Sequence, residues 1–150
     1  MAAGTDPIFT RNVKSPFGAI LSAANASSQG GGTIGTDIFL AGTAGSVDGS
    51  FSVRVRFYLT ATTPTTSTAA VGRVFVSSQS SGATTSANTM CIGDVILGAI
   101  SGANTTTSTP FVDFFIGVGV EAGRSILVTT SVAPAANTAW RAILLGFGDY

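Results

Sequence analysis

Three observations predict an all-β protein, an antiparallel β-sandwich. Apolar and polar residues alternate with a period of two in several runs, the pattern of half-buried strands. Val and Thr are abundant while Glu and Lys are nearly absent, a composition that favours sheet over helix. Turn-rich segments separate the runs at the spacing of a sandwich or barrel, too closely for βαβ crossovers.

The elements follow in chain order. "IFTRNV" and "FGAILSAA" are weak strand patterns, and "FGAILSAANASS" is also compatible with a short helix. "SSQGGG", Ser27 to Gly32, reads as a flexible linker. Residues 1–28 are therefore expected to form an extended N-terminal arm, and residues 29–150 the sandwich domain. "GTIGTDIFLAG" sets Ile34, Thr36, Ile38 and Leu40 against Gly35, Asp37 and Phe39. In "FSVRVRFYL", Phe51, Val53, Val55, Phe57 and Leu59 share one face, opposite Ser52, Arg54, Arg56 and Tyr58. "VGRVFVSS" and "TMCIGDVILGAI" are short apolar strands. "FVDFFIGVGVEAG" places Val112, Phe114, Ile116, Val118 and Val120 opposite Asp113, Phe115, Gly117, Gly119 and Glu121. "SILVTTSVA" sets Ile126, Val128, Thr130 and Val132 against Leu127, Thr129 and Ser131. "TAWRAILLGFG" opposes Ala139, Arg141, Ile143, Leu145 and Phe147 to Trp140, Ala142 and Leu144. The expected core is Val53, Val55, Phe57, Phe114, Ile116, Val118, Val128, Ile143 and Leu145.

Between the strands lie "TATTPTTSTAA", "SSQSSGATTSANT" and "SGANTTTSTP". Uncharged Ser/Thr loops of this kind suit either contact with a neighbouring subunit or exposure to solvent.

Composition narrows the function. The chain has 150 residues, of which 45% are hydrophobic and 9% charged, with zero formal net charge. That is enough chain for one domain with a core. The charged share is well below the usual value of about 25%. Such a surface lacks the mixed charge that keeps diffusing proteins apart, so life in a homo-oligomeric assembly is expected. Its contacts are expected to be broad and mainly uncharged, so that high salt barely releases them. Nucleic acid is not an expected partner, because the seven Lys and Arg residues are scattered. No run reaches the ~18 apolar residues of a membrane helix, and "MAAGTDPIFTRNVKSPF" has no signal-peptide pattern. Neither membrane association nor secretion is expected. Cys91, the one cysteine, reads as a small buried hydrophobe.

The residues of chemistry are few. With no histidine, the chain has no Ser-His-Asp or Cys-His centre and lacks the commonest metal ligand. Asp48 in "GSVDGSF" reads as a turn rather than a calcium site, which needs several oxygen ligands. "GVGVEAGR", Gly117 to Arg124, is not a phosphate loop, because its glycines alternate with valines inside a strand. They are expected to admit a close backbone or ring. Asp94, Asp113 and Glu121 lie in neighbouring segments, but carboxylates in sheets often face arginines such as Arg54, Arg56, Arg73 or Arg124. Trp140 and the phenylalanines read as core or subunit interface. No enzymatic activity, catalytic residue, metal site or cofactor is expected.

From about Thr43 to Tyr150 the chain resembles a set of small bacteriophage virion proteins. The resemblance rests on "AGSVDGSFSVRVRFYLTATTP", "GRVFVSS", "STPFVDFFIGVGVEAGRSILVTTSVA" and the aromatic, glycine-acid-aromatic end "NTAWRAILLGFGDY". Phe147 interrupts the paired glycines of that end, and the Thr-rich loops are longer. In composition the chain resembles jelly-roll decoration (cement) proteins. The resemblance implies a jelly-roll sandwich and a non-enzymatic role. The protein would be made in the host cytoplasm and seated on the capsid surface as a trimer, with the major capsid protein as partner. The alternative is a tail, baseplate or fibre component, including a host-receptor-binding module.

Overall fold

The computed structural model describes residues 12–13, 18–62, 66–100 and 111–149. They form strands β1 (Asn12–Val13), β2 (Gly18–Leu21), β3 (Gly32–Thr33), β4 (Phe39–Thr43), β5 (Ser50–Ala61), β6 (Ala70–Ser77), β7 (Ala83–Thr84), β8 (Thr89–Leu97), β9 (Phe111–Val120), β10 (Ser125–Thr130), β11 (Thr138–Leu145) and β12 (Gly148–Asp149). No helix occurs among the described residues, and the fold is an all-β antiparallel sandwich.

One sheet runs β9–β5–β11–β2. β11 pairs with Arg54–Ala61 of β5, and β12 then pairs with Ser50 and Phe51 along the same edge. β2 pairs with β11 and β1 with β12, so β12 and β1 continue the lines of β11 and β2. The sheet is thus four strands wide. The second sheet has the order β4–β10–β6–β8, and β3 pairs with β7 in a small third sheet.

The main core lies between the two large sheets. Leu21, Val55, Phe57, Leu59, Trp140, Ala142 and Leu144 of the first meet Ala41, Val74, Leu97, Ile126 and Val128 of the second. Full burial of each large side chain contributes roughly 1.5–3 kcal/mol. A second cluster, Ile38, Phe75 and Leu127 with Ile34, Leu40 and Cys91, sits on the far side of the second sheet. It explains why every residue of β10 is buried. Cys91 packs there, half-buried.

Val55, Phe57 and Val128 are core residues as expected, and Phe114 and Ile116 pack against the core. The side chains of Val53 and Val118 lie outside the described residues.

Four expectations are corrected. Residues 18–28 are not an arm: Gly18–Leu21 is a strand of the sandwich with Leu21 fully buried, and Asn25 N–H bonds the Thr130 carbonyl. Residues 1–11 and 14–17 lie outside the described residues. The four-residue alternation of β2 is too short to stand out in sequence, and β11 supplies the ladder that holds it. For the same reason Gly18–Leu21 is not helical. Third, Ile143 and Leu145 are only half-buried; Trp140, Ala142 and Leu144 face the core. Arg141 shares the Ile143 face, and turning that face inward would bury a guanidinium among apolar groups.

Fourth, Gly117 admits no close neighbour, since nothing lies within 4 Å of the position a Cβ would take. Its role is conformational. The register steps from Ser52↔Val118 to Arg54↔Phe115, leaving one extra residue on β9, and Gly117 has φ +58° there. This bulge requires the left-handed conformation that glycine adopts without a Cβ penalty.

Candidate interaction surface

The outward face of β9–β5–β11–β2 brings ion-pair, hydrogen-bond and cation–π contacts together. Its make-up follows from strand alternation. Val55, Phe57 and Leu59 point inward, so Arg54, Arg56 and Tyr58 point outward. Val112 and Phe114 pack inward, so Phe111, Asp113 and Phe115 face out. Register then aligns three transverse rows: Ile20, Arg141, Tyr58 and Phe111; Ile143, Arg56 and Asp113; Leu145, Arg54 and Phe115. Each row holds one arginine, and Asp113 is the one acid among them.

Arg56 grips Asp113 in a two-pronged pair, Nε to Oδ1 at 2.8 Å and Nη2 to Oδ2 at 2.9 Å. Arg54 Nη1 reaches Oδ2 at 3.2 Å. Both guanidinium groups also lie over rings. Arg56 Cζ is 3.8 Å from the Phe111 ring centroid, and Arg54 Cζ is 5.8 Å from that of Phe115. Both are cation–π arrangements. Hydrogen bonding from Arg56, followed by the charges of Arg56 and Arg54, holds the Asp113 carboxyl below its ordinary value against the opposing effect of burial. The same bond raises the already basic Arg56. Asp113 is therefore a fixed carboxylate, unsuited to trading protons near neutrality. Phe111 and Phe115 remain 54% and 66% exposed.

The three carboxylates singled out in the sequence do not converge. Asp113 is on this face, and Asp94 is exposed on β8 of the other sheet. Glu121 sits in the β9–β10 turn, paired with Arg124 at 3.0 Å. Asp94 lies opposite Arg73 in register, yet Arg73 Nε and Nη1 are buried without a hydrogen-bond partner. Asp48 occupies a turn, as expected. Among the described residues no cluster of three or more His, Cys, Asp or Glu could hold a metal. Trp140 is buried in the core and provides no platform. An open groove of about 610 Å³ lies between β8 and the β9–β10 turn, lined by residues including Met90, Ile92, Val120 and Glu121. Its titratable groups are the paired Glu121 and Arg124.

Sequence reasoning placed Arg54, Arg56, Asp113 and Phe115 on their correct faces but did not bring them together. It gave Phe111 no face and turned the shared Arg141 and Ile143 face of β11 inward. The available signal was Arg141 itself, whose charge marks the outward face of β11. The chain matches no protein-family model and no curated protein.

Proposed function

We propose that this chain is a structural virion protein, a decoration or cement protein that binds and reinforces a bacteriophage head as a homotrimer. The observation that carries the reading is the outward face just described. Its acid is clamped by two arginines while two phenyl rings stand in solvent, an arrangement suited to holding another surface rather than to turning over a substrate. Aromatic residues and arginine are the types enriched where proteins meet. The strand orders β2–β11–β5–β9 and β4–β10–β6–β8 support a jelly-roll reading, eight strand lines wound in two sheets. The low charge and zero net charge favour assembly over free diffusion.

A second reading is a tail or fibre module that binds a host receptor, and the exposure of Phe111 and Phe115 favours it. Purified protein added to capsids that lack it separates the two. Stoichiometric binding to capsids supports decoration. Binding to tails or host cells, with none to capsids, replaces it by the fibre reading.

A further inference from the structure

We propose that the outward face of β9–β5–β11–β2 seats an acidic, partly apolar surface of a different protein. Under the reading above, on which the identity of that partner rests, it is the capsid lattice protein.

Charge and shape select this occupant. Arg54, Arg56 and Arg141 against Asp113 leave a net charge of +2 on a chain whose overall net charge is zero. Two copies meeting through this same face would oppose like charges, which argues against a two-fold contact. A partner bearing carboxylates is attracted instead. The apolar part is equally specific. Phe111 and Phe115 stand at the β9 edge and Ile20, 48% exposed, at the β2 edge. Rings and arginines are already ordered, because Asp113 fixes both guanidinium groups over the phenyls. A surface arranged before binding loses little side-chain freedom when it docks. The partner surface should therefore be flat, with apolar groups facing the rings and carboxylates facing the arginines. This ionic component departs from the salt-insensitive contact expected from composition.

The test uses the full chain and three variants. Phe115→Ser and Arg141→Glu alter the face. Ile96→Ser removes a 79% exposed apolar residue from the other sheet. Each is added to capsids lacking the protein at about 0.1 M and about 1 M salt, where the Debye length falls from about 10 Å to about 3 Å. With melting temperatures near wild type, Phe115→Ser and Arg141→Glu should each weaken binding by roughly tenfold or more. Ile96→Ser should bind normally, and wild-type affinity should fall with salt. Wild-type capsid binding matched by both face variants overturns the proposal and leaves decoration standing. If the wild type binds tails or cells instead, decoration fails and the variants are scored on that target. Loss of binding there supports the face, and unchanged binding overturns it. A wild-type oligomer that Arg141→Glu dissociates in sedimentation makes the face a contact between copies and overturns a foreign partner. Binding to none of these targets overturns it as well.

Discussion

Gly93 on β8 and Phe114 on β9 fit together across the sandwich: the ring fills the space a side chain at 93 would need, and a Cβ there would lie 2.5 Å from Phe114 Cζ. A methyl group at 93 must displace the ring or the strand. Gly93→Ala should destabilise by about 1–3 kcal/mol through overpacking, with backbone strain added because Gly93 has φ +158°. Phe114→Ala should cost about 2–4 kcal/mol, below a fully buried phenylalanine because Phe114 is half-buried. In the double variant the methyl has room, so its added cost should shrink. Urea unfolding of the four proteins measures this coupling, and strictly additive costs would show that the ring and the glycine do not share that space.

The face assignment of β11 can be tested with two neighbouring residues. Leu144 is fully buried, and Ile143 lies on the outward face opposite Arg56. Leu144→Ala should cost about 2–5 kcal/mol, and Ile143→Ala clearly less. The reverse order in thermal melts would restore the face predicted from sequence.

Asp113 gives a pH signature. Its folded value is lowered, so pairing with Arg56 and Arg54 stabilises the fold above the ordinary carboxylate value of about pH 4. The contribution is lost as pH falls through the lowered folded value. Asp113→Asn should therefore melt a few degrees below wild type at pH 7, with the two curves converging in acid. A melting gap that stays constant down to pH ~2 would mean that ionisation of Asp113 is not its source.

Much of the fold was legible because strand alternation is local. The inward set Val55, Phe57 and Leu59 and the outward set Arg54, Arg56 and Tyr58 follow from a period of two in one unbroken run. β2 was not legible. Four residues with Ala and Gly among them carry little periodic signal, and burial of Leu21 depends on β11, more than a hundred residues away. The candidate surface was legible residue by residue but not as a set. Alternation gives each side chain a face, whereas adjacency across strands requires the register.

The sequence by itself determined the class of the molecule. Period-two patterning with few helix-forming charged residues specifies sheets, and the absence of histidine removes the commonest centres of chemistry. Tertiary structure alone decided which strands became neighbours. It put Arg54, Arg56 and Asp113 in contact, made Phe111 and Phe115 partners of those cations, and turned Trp140 rather than Ile143 into the core. The physical reason is that facing direction is set by neighbouring residues along one chain. Pairing is set by competition among all strands to bury apolar faces and satisfy backbone hydrogen bonds together.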